Sequence, residues 1–140
     1  MMQVFGLKSM ECYCCNLFNG GNDEGEVLDM TKSILNEYRP DEAEAIIRSG
    51  GGYLKMQQLY IMFELISDTV EEIGPKNFSS QAVYDTAKTF SIDVDGCPHS
   101  YTDTKRVSND ALASFEVRAD EKDIFRRESG PKWYPVLNEP

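Results

Sequence analysis

Residues 75–87, PKNFSSQAVYDTA, directly follow a long segment at 52–74 whose apolar side chains recur in a helical pattern. Steps of three and four residues separate these positions, which lines them up along one face of a helix: Leu59, Met62, Phe63, Ile66, Val70 and Ile73. Gly74 stands where a helix C-cap glycine belongs, and Pro75 cannot continue the helix. Ser79 is a suitable N-cap for a following helix. The stretch predicts two consecutive helices, with 52–74 as the central buried one, so Phe63→Ala should cost about 3–5 kcal/mol.

Outward from this stretch, turn residues and periodicity divide the remaining chain. Residues 3–7 predict a short buried strand, and the turn-rich residues 8–23 predict a loop. A helix is predicted from about Asp23 until Pro40, because the residue before a proline avoids the helical region. Residues 41–48 predict one or two further helical turns. Towards the C-terminus, Asp95-Gly96 is a turn signal, and residues 113–118 alternate as a strand does.

Length and composition indicate one globular domain. The chain has 140 residues, of which 41% are hydrophobic and 11% aromatic, and these values are typical of a folded domain. No apolar run approaches the ~20 residues that a membrane-spanning helix needs. The net charge of −10 argues against nucleic acid as a partner, because phosphates would be repelled.

The four cysteines leave three chemical interpretations open. Cys12, Cys14 and Cys15 are clustered, whereas Cys97 lies far along the chain, two residues before the single histidine, His99. Zinc, a disulfide that includes Cys97, and free thiols are all compatible with this inventory. Neither group has the usual spacing of a zinc knuckle, so we expect no stoichiometric metal. A Cys97–His99 thiol–imidazole pair is a further possibility, against a plain polar turn.

Two other sets of side chains have both a functional and a structural interpretation. Acidic pairs such as Asp93 and Asp95 can perform acid–base chemistry when one member is buried, but their polar surroundings favour solvated surface. The aromatic side chains fit either a small-molecule pocket or, more simply, the core: Tyr53, Tyr60, Phe63, Tyr84, Phe90 and Tyr101.

The order of these segments resembles the end of the C-terminal lobe of type 1 periplasmic solute-binding proteins, the Leu/Ile/Val-binding-protein-like receptors of ABC importers. The resemblance rests on residues 27–39, 53–74 and 79–90, followed by Asp95-Gly96 and the strand at 113–118. It covers about 110 residues as a pattern of amphipathic elements. The Cys-rich residues 12–15 have no counterpart in it.

The resemblance implies an α/β fold, a partial periplasmic-binding-protein lobe with helices packed on a small, mostly parallel sheet. Residues 24–140 would form the C-terminal-lobe-like domain, preceded by a strand and Cys-rich loop at 1–23. The implied protein is not an enzyme and needs no cofactor. It would be periplasmic or extracellular, although residues 1–7 have neither the basic nor the long apolar region of a signal peptide.

The implied function is that of a fragment of the substrate-binding subunit of an ABC transporter for amino acids, amides or related small polar solutes. The partners would be this ligand and the membrane permease, with a homodimer as a possibility. Ligands of open α/β sheets bind outside the carboxyl ends of strands. We therefore expect contacts from Tyr13, Asn16 and Tyr53, where strand 3–7 meets the following loop and where helix 52–74 begins. The alternatives are a small cysteine-dependent metal or redox module and a stand-alone dimerising interaction domain.

Overall fold

A computed structural model describes residues 12–16, 20–49, 56–118 and 120–136 of the chain. The elements follow one another as β1 (Cys12–Asn16), α1 (Glu26–Tyr38), α2 (Pro40–Ser49), α3 (Met56–Ile73), α4 (Ser80–Ala87), β2 (Ser91–Val94), β3 (Cys97–Ser100), β4 (Ala111–Arg118), β5 (Asp123–Arg126) and β6 (Tyr134–Pro135). A 3₁₀ turn, Pro75–Asn77, joins α3 to α4. The strand expected at 3–7 lies outside the described residues.

The helices predicted from the sequence are confirmed within this part of the chain. Helix α3 ends as expected: the Gly74 amide donates to the Val70 carbonyl at 2.8 Å, and Gly74 has a φ of 76°, which glycine adopts without strain. Helix α4 begins at its predicted cap, because the Ser79 hydroxyl accepts a hydrogen bond from the Ala82 amide at 3.2 Å.

The strand arrangement corrects the expected fold class. The class is α/β, but the described strands are antiparallel rather than mostly parallel: β4 pairs with β1, β5 and β6 in one sheet, and β2 pairs with β3 in a separate hairpin. Short connections require this arrangement for the β2–β3 and β4–β5 pairs. The turn from Val94 to Cys97 and the link from Arg118 to Asp123 are far shorter than the crossover that parallel neighbours need.

Residues 12–16 are a second correction, because they form β1 instead of part of a loop. They run antiparallel to β4, with Cys12 opposite Val117 and Cys14 opposite Phe115. The partner strand lies about a hundred residues further along the chain, so no local turn or alternation signal indicated the pairing. Hydrogen bonding to β4 outweighs the weak local preference of this segment, as tertiary context often does in sheets.

The core lies between the helices and the β2–β3 hairpin. Its buried members are Val27 on α1, Ile61 and Leu65 on α3, and Phe90 and Val94 near the hairpin. A second buried group lies on β4, where alternate residues are buried at Ala111, Ala113 and Phe115. This alternation is that of a strand with one covered face.

The orientation of α3 differs from the prediction. The face that it buries carries Gln57, Ile61, Leu65 and Thr69, whereas Phe63 is 60% exposed and Leu59 and Met62 are also exposed. The periodicity identified the helix correctly but selected the wrong face, because α3 is apolar on two sides. The large cost expected for Phe63→Ala was therefore wrong for this structure. Among the described residues, no helix combines the length and apolarity that crossing a membrane requires.

Candidate functional site

The three predicted contact residues are only partly covered by the structure. Tyr13 and Asn16 both lie on β1, where they are paired with Glu116 and Ala113 of β4. Tyr53 lies outside the described residues, so its relation to the other two is not fixed. The three ligand contacts therefore stay predictions. What the structure describes is the polar framework at the starts of α1 and α3.

Asp95 is the centre of this framework. Its carboxylate oxygens accept hydrogen bonds from the Val27 and Leu28 amides at the start of α1, at 3.1 and 3.2 Å. The Gln57 side chain, in the first turn of α3, donates to the same carboxylate at 3.2 Å. Helix N-termini favour negative charge because their first amides lack partners within the helix. One carboxylate thus joins the β2–β3 turn to two helices; we call this the Asp95 junction.

Backbone conformation brings Asp95 into this position. Asp95 and Gly96 have φ values of 54° and 81°, the pair of positive angles that a tight hairpin turn with an Asp-Gly sequence adopts. Gly25, just before α1, makes the approach possible. A Cβ at Gly25 would lie 2.3 Å from the Asp95 carboxyl carbon, so a larger residue would displace the carboxylate from the helix.

Arg126 organises a second polar cluster close to the same turn. Its guanidinium donates two hydrogen bonds to the Asp23 carboxylate, at 2.9 and 2.7 Å, and a third to the Lys132 carbonyl at 2.5 Å. It also stacks between aromatic rings, 5.1 Å from the Phe115 centroid and 4.6 Å from that of Trp133. This bidentate pair fixes the segment before α1 against the sheet.

The Arg126 cluster adjoins the Asp95 junction through Trp133. A Cβ at Gly96 would lie 3.7 Å from the Trp133 indole nitrogen, and that buried nitrogen has no hydrogen-bond partner in the part of the chain that the structure describes. The charges of Asp95 and Arg126 are compensated by groups of the protein itself. We therefore interpret the two clusters as rigid supports of the fold, not as ligand contacts.

Cys97 and His99 both lie buried on β3, in surroundings that suppress their reactivity. Burial raises the pKa of the Cys97 thiol to about 11, with a further contribution from the negative charge of Asp93. Only the thiolate is a nucleophile, so Cys97 lacks the activation that a redox or catalytic cysteine needs. Burial also lowers the pKa of His99, whose Nδ1 lies 3.3 Å from the Ser108 hydroxyl. The buried histidine is not the polar turn residue expected from the sequence.

Metal ligation has no support among the side chains that the structure describes. In that part of the chain, no three histidine, cysteine or carboxylate side chains come together as a metal site would require. The side chains of the Cys12–Cys15 segment are not among those described. A metal site that includes those cysteines therefore stays a hypothesis.

An open groove of about 440 Å³ lies between the end of α3 and α4. Its carboxylates are Glu72, which accepts from the Thr86 hydroxyl at 3.2 Å, and Asp85, which accepts from Gln81 at 3.0 Å. Hydrogen bonds from Lys88 and Gln81 lower the pKa of Asp85, so it stays ionised at neutral pH. Asp85 is therefore not poised as a general acid.

The sequence could not identify the Asp95 junction or the Arg126 cluster. The sequence predicts Asp95 as solvated surface next to Asp93, but the amide of Val27 that donates to its carboxylate lies 68 residues away. Arg126 and its partner Asp23 are 103 residues apart. The Asp-Gly turn was the one local signal, and it indicated the hairpin without indicating what the carboxylate would bind.

Comparison with known proteins shows a likeness at the level of fold. The described architecture resembles part of a solved structure. Specifically, it is similar to the crystal structure of a branched chain amino acid ABC transporter from Thermus thermophilus with bound valine, with a TM-score of 0.61 and 13% sequence identity. The match covers 89% of this chain but 33% of the other, so this chain spans about a third of that protein's length. No family model and no curated protein matches the sequence.

Proposed function

We propose that this chain supplies part of the substrate-binding subunit of an ABC transporter for amino acids or related small polar solutes. The observation that carries the proposal is the fold likeness to a valine-bound transporter protein over 89% of this chain. At 13% identity that likeness concerns the fold alone, and the step to a shared function is our inference. The protein would act by binding its solute, without catalysis.

The proposed ligand contacts are Tyr13, Asn16 and Tyr53. The Asp95 junction holds the starts of α1 and α3 in a fixed relation through one carboxylate, and its member Gln57 follows Tyr53 closely in the chain. A pre-organised support of this kind reduces the entropy that a site loses on binding. The further proposed partner is the membrane permease, which would make the proposed location periplasmic or extracellular. Self-association into a homodimer is a weaker part of the proposal.

The affinity of this chain alone should be weak. Receptors of this class bury a small ligand between two lobes, and a chain that corresponds to a third of the related protein would offer only some of those contacts. Micromolar affinity requires about 8 kcal/mol of binding free energy, which an incomplete and open site does not reach. We therefore expect dissociation constants in the millimolar range.

Titration of the ¹⁵N-labelled chain with valine and a panel of other amino acids, followed by NMR shifts, tests this proposal. Shifts should be confined to β1 and the beginning of α3, and Asn16→Ala should weaken them. Asn36→Ala is the matched control, because Asn36 is exposed on α1 and its amide donates to the Lys32 carbonyl, one turn earlier. Absence of any shift at that edge, or sub-micromolar binding by this chain alone, would contradict the proposal.

The cysteine-dependent alternative makes a different prediction. A metal module would contain a stoichiometric metal bound by Cys12, Cys14 and Cys15, whereas the binding-protein proposal predicts none. Elemental analysis of protein purified without chelator separates the two. One zinc per chain that is lost in a Cys14→Ser variant would favour the alternative. The interaction-domain alternative predicts a stable dimer, and the mass measured in solution tests it.

A further inference from the structure

A small cleft between α4 and the loop after β3 has a composition unlike the acidic surface around it. Tyr84, Ala87 and Lys88 form its α4 side, and the other side is supplied by Tyr101, Thr102, Lys105 and Arg106. Its volume is about 170 Å³, the space of about six water molecules at liquid density. The chain as a whole carries a net charge of −10, yet three of the residues that line this cleft are cationic: Lys88, Lys105 and Arg106.

The interior of the cleft is apolar and held in position by the core. Tyr101 packs against the buried core cluster, and its ring lies 6.4 Å from that of Phe90. Ala87 packs against the same cluster from α4. Tyr84, which is partly exposed, presents its ring at the opening. Apolar groups of a ligand can therefore enter between the Tyr84 ring on α4 and the Tyr101 ring after β3.

The loop side of the cleft is fixed by Lys105. Its ammonium donates to the Asp110 carboxylate at 2.6 Å and to the carbonyls of Ser100 and Ser108 at 2.6 and 3.1 Å. These acceptors use all three of its donors and largely neutralise its charge. Lys105 is thus a structural cation that shapes the loop, and the charge offered to a ligand must come from its neighbours.

Two cations converge on the Tyr84 ring at the opening. The Arg106 guanidinium carbon lies 4.9 Å from the ring centroid, and the Lys88 ammonium lies 5.1 Å from it. Lys88 is paired with Asp85 at 2.8 Å, and Asp103 also contributes negative charge near it. Arg106 differs, because it donates to the neutral Tyr84 hydroxyl at 3.0 Å and has no carboxylate within ion-pairing distance among the described residues.

We propose that this cleft binds a small carboxylate with an apolar body, whose charged end pairs with Arg106 and whose apolar end lies between Tyr84 and Tyr101. A guanidinium presents parallel donors that match the two oxygens of a carboxylate. The apolar interior excludes a fully polar anion, and the single uncompensated cation favours one negative charge over two. This site is separate from the edge proposed for the transported solute and does not depend on that function.

Isovalerate and its neutral isostere isovaleramide are the probes that test the proposal. In an NMR titration of the intact chain at low ionic strength, isovalerate should cause saturable shifts at Tyr84, Lys88 and Arg106, and added salt should weaken them. Isovaleramide should bind at least several-fold more weakly, because it lacks the charge. Equal binding of the two compounds, or no saturable shift in the millimolar range, would overturn the proposal.

Arg106→Gln provides the test by mutation, with Arg48→Gln as its control. Both remove one exposed positive charge, but Arg48 lies on α2, where it pairs with Glu44 at 3.4 Å. Arg106→Gln should weaken isovalerate binding about fivefold or more, a modest loss for a charge-assisted hydrogen bond at an exposed site. Arg48→Gln should change the affinity for isovalerate by less than about twofold. Equal effects of the two variants would mean that only net charge matters, and the assigned site would be wrong.

Discussion

The Asp95 junction predicts that one carboxylate makes a large contribution to stability. Replacing Asp95 removes the acceptor for the first amides of α1, and loss of a helix cap costs about 1 kcal/mol. It also removes the partner of the Gln57 amide, whose residue is only 4% exposed. A buried donor without a partner costs about 1–3 kcal/mol. The total expected for Asp95→Gly is therefore about 2–4 kcal/mol, obtained by adding those two costs.

Glycine is the informative substitution because Asp95 has a φ of 54°. Alanine would add strain at a positive φ, and that strain would be mistaken for the loss of hydrogen bonds. Asp95→Asn provides an intermediate, since asparagine tolerates the same conformation and keeps one side-chain oxygen as an acceptor. We expect Asp95→Asn to cost about half as much as Asp95→Gly. Asp103→Gly, at an exposed loop position, should cost less than about 0.5 kcal/mol.

Urea unfolding measures these differences as shifts of the midpoint at constant slope. Hydrogen exchange adds a local readout, because the Val27 and Leu28 amides should lose protection in Asp95→Gly before the rest of α1 does. If Asp95→Gly were no more costly than Asp103→Gly, the carboxylate would not be stabilising the two helices, and the inferred role of the junction would be wrong.

Two further predictions concern the core and the buried histidine. Phe115→Ala should lower the free energy of unfolding by about 3–5 kcal/mol, because Phe115 is 2% exposed. Phe63→Ala should lower it by less than about 1 kcal/mol, because Phe63 is 60% exposed. Similar losses for the two variants in urea unfolding would contradict the orientation of α3. For His99, burial lowers the pKa in the folded state below the unfolded value of about 6.5. The contribution of His99 to stability is therefore complete above about pH 6.5, and it declines as the pH falls from there through the folded-state pKa. Asp110 and Asp93 oppose this shift, and Lys105 adds to it. The free energy of unfolding of His99→Gln should therefore fall less than that of the unmodified chain between neutral and mildly acidic pH. Parallel profiles of stability against pH would refute the burial of His99 as the cause.

Local signals explain why the helices were predictable from the sequence. The cap at Ser79, the glycine at Gly74 and the proline at Pro40 act through contacts within a few residues, so each predicts a boundary wherever the chain folds. The pairing of β1 with β4 was not predictable in the same way. Strand β1, which pairs with β4, lies about a hundred residues earlier in the chain, and no residue near β4 indicates that pairing.

The face that α3 buries shows how periodicity can mislead even when it identifies the helix. Leu59, Met62 and Phe63 form the more apolar side, yet the side packed on the core includes the polar residues Gln57 and Thr69. Both polar side chains donate hydrogen bonds: Gln57 to the Asp95 carboxylate, and Thr69 to the Leu65 carbonyl at 2.7 Å. Once hydrogen-bonded, a buried polar group loses most of its cost, so hydrophobicity alone no longer decides the orientation.

The candidate sites follow the same physical logic as these corrections. Arg126 and Arg106 are both arginines stacked on aromatic rings, and the sequence gives no means of telling them apart. The difference lies in their partners, because Arg126 has the Asp23 carboxylate while Arg106 has the neutral Tyr84 hydroxyl. A guanidinium already paired with a carboxylate stabilises the fold, and one paired with a hydroxyl retains charge for a ligand. The assignment of function to one arginine and structure to the other thus depends on contacts between distant segments, and substitution at Arg106 separates the two roles.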